Sequence, residues 1–170
     1  QGRAESIYEK NPSAEYFNDI AKETLAAYIR EIPQGKKVRI LEAGAGTGGT
    51  TASLLPLLNG EQTEYVFTDL SQYFLTEAEI KFGAYPFVRY DLLDINRDCR
   101  FQGYTPGTFD VIVCANVLHD ARNLEASLRH LRTLLVPGGI MIVLEGTRNR
   151  RLQMISVGFI EGFSHFEDHR

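Results

Sequence analysis

The residues of this chain best suited to chemistry fall in two groups. The first is the run Leu41-Glu42-Ala43-Gly44-Ala45-Gly46-Thr47-Gly48-Gly49-Thr50. Glycine carries no Cβ, so a loop built from it lets the backbone approach a ligand closely. The second is a histidine and a glutamate, His119 and Glu145, each just past an apolar run. A carboxylate beside an imidazole fixes its tautomer and raises its basicity, which suits removal of a proton. Asp69, Asp91 and Asn116 also close or follow apolar runs. In an open α/β sheet that is where ligands bind.

The glycines alone do not decide the ligand. Gly44, Gly46 and Gly49 satisfy G-x-G-x-x-G, the dinucleotide fingerprint, and Asp69 follows at about the spacing of an acid that binds a ribose. A nicotinamide oxidoreductase is therefore one reading. Glu42 argues for another. A pyrophosphate gains nothing from a carboxylate just before the loop, whereas a cofactor carrying an amino acid and a sulfonium cation is favoured by negative charge there. The plainer role for Glu42 is a cap on N–H groups of the loop.

The elements that must position these residues are legible as an alternation. Asn11-Pro12 starts a helix that runs to about Glu31, with Tyr16, Phe17, Ile20, Leu25, Tyr28 and Ile29 on its apolar face. Tyr8, Tyr16 and Phe17 suit a lid over the loop or a place in the core. Lys37 to Glu42 reads as a strand and Thr50 to Leu58 as a helix with an irregular end at Pro56. A strand over Glu64 to Thr68 leads to Asp69, and Ser71 caps a helix that Gly83 stops. Phe87 to Tyr90 and Phe109 to Cys114 are further strands. Asn123 to Leu135 is helical, Pro137-Gly138-Gly139 a tight turn, and Ile140 to Leu144 a very apolar strand. Arg148 to about Gly162 reads as a last helix, with Arg148, Arg150 and Arg151 a basic cluster on solvent. Strands alternating with helices make parallel βαβ units, hence an α/β, Rossmann-like, doubly wound and mostly parallel sheet preceded by an N-terminal helical segment. The boundaries expected are 1–35 for that segment and 36–170 for the core.

Bulk properties exclude several classes. A chain of 170 residues supports one domain with a core. A net charge of −4 speaks against a general nucleic-acid binder. No apolar run approaches the ~20 residues of a membrane span, and the first residues form no secretory pattern. The two cysteines, Cys99 and Cys114, form no CxxC pair, and the four histidines sit in no metal-ligand pattern. We therefore expect no metal site and a reducing, cytoplasmic setting. A start at Gln1 reads as excision from something longer.

In combination the chain resembles the class I S-adenosylmethionine-dependent methyltransferases. The matching parts are Glu42-Ala43-Gly44-Ala45-Gly46-Thr47-Gly48, Asp69, Asp91-Leu92, Phe109-Asp110-Val111-Ile112 and Leu135-Val136-Pro137-Gly138-Gly139, over most of residues 36–145. Ala115-Asn116-Val117-Leu118-His119 and Leu144-Glu145-Gly146-Thr147 narrow it. They look like the carbon-methylating domains embedded in polyketide synthases and mixed nonribosomal peptide–polyketide synthases. Residues 159–170 also look like that family's helix and loop after the fifth strand. The family core has two further strands, one antiparallel, so the core is expected to be C-terminally incomplete here, with the fifth strand as an exposed edge.

The resemblance implies S-adenosylmethionine as cofactor, with S-adenosylhomocysteine as product. It implies that Glu42, Gly44, Ala45, Gly46, Gly48 and Asn116 surround the methionine end, that Asp69 and Leu70 lie at the ribose, and that Asp91 and Leu92 meet the adenine. It implies His119 and Glu145 as the catalytic pair. The substrate would be a β-ketoacyl thioester on the phosphopantetheine of an acyl carrier protein, with neighbouring synthase domains as partners and neither nucleic acid nor membrane. N- or O-methylation and a non-catalytic structural domain are the alternatives.

Overall fold

The computed structural model describes residues 12–146 and 167–168. Its elements in chain order are α1 (Pro12–Glu31), β1 (Val38–Ala43), α2 (Gly49–Leu54), β2 (Thr63–Asp69), α3 (Gln72–Lys81), β3 (Val88–Leu92), β4 (Phe109–Ala115), α4 (Leu124–Leu134) and β5 (Leu135–Leu144). Short 3-10 turns occupy Leu55–Leu57, Cys99–Gln102 and Leu118–Asp120. The five strands form one sheet in the order β3-β2-β1-β4-β5, and every pairing is parallel. The order reverses between β1 and β4, which opens a crevice at their carboxyl ends.

Period-two alternation along the strands divides the core in two. Ile40, Tyr65, Phe67, Val111 and Val113 face α1, α2 and α3 with Ala21, Leu25, Leu54, Leu75 and Phe82. Leu41, Val66, Ile112 and Cys114 face the opposite side with Leu118, Leu131 and Leu134. The doubly wound arrangement expected from the sequence is what forms. Cys99 and Cys114 are free and buried in the second half. Among the described residues no helix is long and apolar enough to cross a membrane.

Two local expectations change. The fifth strand begins at Leu135, not after the Pro-Gly-Gly turn. Leu135 pairs with Phe109, and Ile140 pairs with Val111, so five residues of β5 are matched to two of β4. Pro137 has no N–H for the ladder and Gly138 is left-handed at φ +81°, so the excess is taken up as a bulge inside the strand. Ser71 occupies the N-cap of α3, but its side chain makes no capping bond. Asp69 Oδ1 accepts the Ser71 N–H at 2.8 Å instead, an Asx turn that starts the helix. α3 ends at Lys81 with Phe82 as its C-cap and Gly83 next in the chain, within a residue of the expected end. α4 behaves as expected: Asn123 Oδ1 accepts from the Ala126 N–H at 2.9 Å.

Residues 1–11 lie outside the described residues, so the helix start at Asn11 and the placement of Tyr8 do too. So does the expected helix from Arg148 to Gly162 with its arginine cluster. Tyr16 and Phe17 are 63% and 46% exposed and meet edge to face, so neither joins the core.

The bulge of β5 rests directly on β4. A Cβ at Gly139 would stand 2.9 Å from the Asp110 carbonyl and 3.1 Å from that of Val136, and neither backbone atom can retreat. Gly139→Ala is expected to lower folding stability by about 2 kcal/mol, read as a reduced urea midpoint with an unchanged m-value.

Candidate active site

All the residues singled out for chemistry lie at the carboxyl ends of the five strands. The loop after β1 alternates its backbone: Gly44, Gly46 and Gly48 have φ of +61°, +55° and +74°. L-residues avoid that region, so the glycines are needed for conformation first. Their missing side chains serve different ends. A Cβ at Gly44 would overlap Val117 Cγ2, and one at Gly48 would lie 2.6 Å from Phe82 Cε2. At Gly46 nothing lies within 4 Å. Gly44 and Gly48 are thus closed by protein, whereas Gly46 faces open space that a Cβ would occupy.

Two adjacent residues of the loop are pinned to β2. Ala45 N–H donates to the Thr68 carbonyl and Gly46 N–H to Asp69 Oδ2, both at 2.9 Å. Asp69 is 8% exposed. With Gly46 on one oxygen and Ser71 on the other, each carboxylate oxygen keeps a lone pair for a further donor. Leu70 and Leu92, at the ends of β2 and β3, are 68% and 47% exposed. Large apolar side chains left in solvent at a crevice mark a surface for a flat apolar group. Asp91 is exposed; its Oδ1 accepts the Leu92 N–H at 2.8 Å.

Glu42 is more deeply buried still than Asp69. Its side chain is 1% exposed. Oε2 accepts hydrogen bonds from Thr51 Oγ1 at 2.5 Å and Tyr65 OH at 2.7 Å, while Oε1 is buried without a partner. Burial pushes its carboxyl up to about 7, outweighing the lowering by the two hydrogen bonds. Neither bond goes to an N–H of the loop, so the capping role considered above is not the one it plays.

The second group assembles across β4 and β5. Asn116 is the one described non-glycine residue with positive φ, at +52°, and its N–H donates to the Leu144 carbonyl at 2.8 Å. That turn brings the 3-10 segment over the end of β5. Glu145 Oε1 accepts the Val117 and Leu118 N–H groups at 2.7 and 2.6 Å, and Oε2 lies 3.0 Å from His119 Nδ1. Burial raises the Glu145 carboxyl, but His119 and the two backbone donors lower it more, and it is held below the ordinary carboxylate value. An ionised acceptor at Nδ1 places that proton on Nδ1 and makes Nε2 the basic nitrogen. Asp120 Oδ1 lies 3.6 Å from Nε2, beyond hydrogen-bond reach. Such a pair can take a proton from an acidic carbon, nitrogen or oxygen.

The expected cofactor-binding and catalytic residues thus lie at one edge of the sheet. Four others were not legible. Thr51 and Tyr65 hold Glu42, Val117 fills the space beside Gly44, and Tyr104 OH donates to the Leu92 carbonyl at 3.1 Å. Burial, then the Asp91 carboxylate beside it, pushes the Tyr104 hydroxyl up. Only Val117 carried a signal, as part of the run before His119. Among the described residues no group of three His, Cys, Asp or Glu side chains is placed to hold a metal ion.

A parallel sheet with a left-handed glycine loop after β1 and acids after β2 and β3 is the class I methyltransferase architecture. Residues 41–141 match the methyltransferase domain family, and the chain belongs to it. It is 40% identical over 168 residues to the polyketide synthase ThaG of Burkholderia thailandensis and 38% identical over 172 residues to the polyketide synthase PksM of Bacillus subtilis. These alignments take in 96% of this chain but 3% and 4% of those proteins. The CurJ carbon methyltransferase superposes with a TM-score of 0.94 at 41% identity, over 97% of this chain and 44% of that one. The citrinin polyketide synthase CMeT domain gives 0.88 at 34%, over 96% and 44%. The trans-methyltransferase CalH, in complex with S-adenosylhomocysteine, gives 0.75 at 36%, over 90% and 45%.

The edge fits S-adenosylmethionine, the cofactor expected from the sequence. Gly46 leaves backbone-lined open space, Asp69 has acceptor capacity for a diol, Leu70 and Leu92 offer apolar faces, and Glu42 retains an unpartnered oxygen. Two expectations follow. Gly46→Ala is expected to weaken S-adenosylmethionine binding by tenfold or more while costing only about 1 kcal/mol of stability for its left-handed backbone, whereas Gly44→Ala should cost about 2 kcal/mol through Val117. Calorimetric titration and chemical denaturation of both variants separate the two effects. For Glu42, a folded pKa above the unfolded value means its contribution is fully present below about 4.5 and lost as pH rises through about 7. Unfolding free energy should therefore fall between those limits by on the order of 3 kcal/mol from this group. Glu42→Gln should flatten that slope in denaturation curves taken across the range.

Proposed function

We propose that this domain methylates the α-carbon of a β-ketoacyl thioester carried on the phosphopantetheine of an acyl carrier protein, within a polyketide or mixed nonribosomal peptide–polyketide synthase. The observation that carries the reading is the 3.0 Å pairing of His119 Nδ1 with Glu145. Nitrogen nucleophiles need little help with deprotonation, but a carbon acid between two carbonyls needs a positioned base. The likeness to carbon methyltransferases supports it.

On this reading the cofactor supplies a methyl group on a sulfonium. The Gly44–Gly48 loop, with Ala45 and Gly46 pinned to β2, would hold the methionine end beside Glu42 and Asn116. Asp69 would accept from the ribose hydroxyls with Leu70 alongside, and Asp91 and Leu92 would receive the adenine. His119 Nε2 takes the proton from the α-carbon, and the bonding pair passes into the enolate. Glu145 stays ionised and stabilises the imidazolium while its grip on the Val117 and Leu118 N–H groups fixes the ring's position. The bound cofactor would supply the methyl to the enolate carbon and leave as the neutral thioether, and the residues here contribute placement more than further chemistry.

The test is mass spectrometry of an acetoacetyl-loaded carrier protein incubated with the protein and S-adenosylmethionine. A methyl mass gain placed on the α-carbon by fragmentation is the expected result. His119→Ala should reduce the rate by about 10²-fold or more with cofactor affinity near wild type. Methyl found on oxygen or nitrogen overturns the acceptor, and full activity in His119→Ala overturns the base.

A further inference from the structure

Glu42 has features that a simple positioning role leaves unexplained. Its side chain bridges the two ends of the glycine loop, from the end of β1 to Thr51 in the first turn of α2. It is fully enclosed, and one of its two oxygens has no partner. Both groups that bond it are hydroxyls, and among the described residues no cation pairs with it. A buried carboxylate in that setting lacks the countercharge that ionisation requires.

The groups that face it from each neighbouring element are few. β2 supplies the Tyr65 hydroxyl, pushed well up by burial and then by Glu42 itself. β4 presents the apolar Val113 in register with Glu42, while the Cys114 thiol, on the other face of the sheet, is pushed up to about 12 by burial, then by the charges of Glu145 and Glu42. α2 supplies Thr51, which does not titrate, and the α1 and α3 residues of the same core cluster, such as Leu25 and Phe82, carry no charge. Tyr65 and Cys114 keep their protons near neutrality, and Glu145 has already lost its own. Glu42 is thus the group in this cluster that a new positive charge would ionise.

The cofactor and its product differ in that charge. S-adenosylmethionine bears a sulfonium; loss of the methyl leaves a neutral thioether, and the amino-acid portion is the same in both. We propose that Glu42 is the specificity-determining residue that separates the two: its carboxyl is protonated beneath the loop when no sulfonium lies there and gives up that proton when the cationic cofactor binds. Binding then carries a proton release that the product does not, and re-protonation after methyl transfer weakens retention of the product. The inference rests on the cofactor assignment above.

Calorimetric titration at about pH 6.5, below the half-ionisation point of the carboxyl, in two buffers of different ionisation enthalpy counts the protons. The expected result is release of most of one proton on binding S-adenosylmethionine and none on binding S-adenosylhomocysteine. His119→Ala should keep the release. Glu42→Gln should lose it, and its preference for cofactor over product should fall about tenfold for each pKa unit of coupling. Should the glutamine variant fail to fold, infrared difference spectra of the wild-type protein replace it: the stretch of a protonated carboxyl disappears with the cofactor and persists with the product. Equal proton counts for the two ligands, a count unchanged in Glu42→Gln, or a carboxyl band indifferent to the cofactor overturns the proposal. Absence of binding by either ligand overturns the cofactor assignment itself.

Discussion

The left-handed backbone of the loop after β1 is the constraint on which the rest of the site depends. Three residues with positive φ between Gly44 and Gly48 turn the chain from strand to helix so tightly that β1, β2 and α2 meet beneath it. Side chains from three elements then close on the loop. Phe82, the C-cap of α3, occupies the space beside Gly48, Val117 that beside Gly44, and Asp69 takes the Gly46 N–H. Any residue but glycine at these positions meets backbone strain, and at Gly44 and Gly48 overlap as well. Of the three left-handed glycines, Gly46 is the one whose side is open to a ligand.

This explains how much could be read from the chain. The alternation of apolar runs with helical segments, and the ends of those runs, fixed the sheet and put Glu42, Asp69, Asp91, Asn116, His119 and Glu145 at one edge before any coordinates. Those features are local in sequence, and one residue's place follows from its neighbours. What remained hidden is non-local. Tyr65 reads as an apolar strand residue; its hydroxyl reaches Glu42 only because β2 pairs with β1 so that Ile40 stands opposite Tyr65 and Glu42 opposite Phe67. Tyr104 sits in an irregular loop whose path over Leu92 no periodicity encodes. The β5 bulge was misread for the opposite reason: Pro-Gly-Gly is a strong turn signal, but pairing with β4 on both sides overrides it.

The burial of Glu42 illustrates a cost accepted at a functional edge. A glutamine or an apolar side chain would suit that enclosed site better, since an unpartnered buried oxygen is destabilising by about 1–3 kcal/mol. Stability would be regained by removing the charge, and a carboxyl with a strongly raised pKa at a cleft is a signature of function more than of folding. Asn116, held at positive φ beside the same crevice, is a second such strain.

The two halves of the site are joined by one residue. The Val117 side chain lies against Gly44, and its N–H donates to Glu145 Oε1. The carboxylate that orients His119 is therefore bonded to the segment whose side chain closes the cofactor loop. A shift of the loop moves Val117, and with it the hydrogen bonds that set the imidazole. Methyl transfer between two bound partners requires their reacting atoms to stand close and in line, and a displacement of about 1 Å is costly. Packing at Gly44 and hydrogen bonding at Glu145 join the two regions through rigid backbone, so that on the proposed function the base and the methyl donor's seat are registered to each other by the fold. The short Ala115–His119 segment is where that registration is encoded, and its residues are constrained from both sides at once.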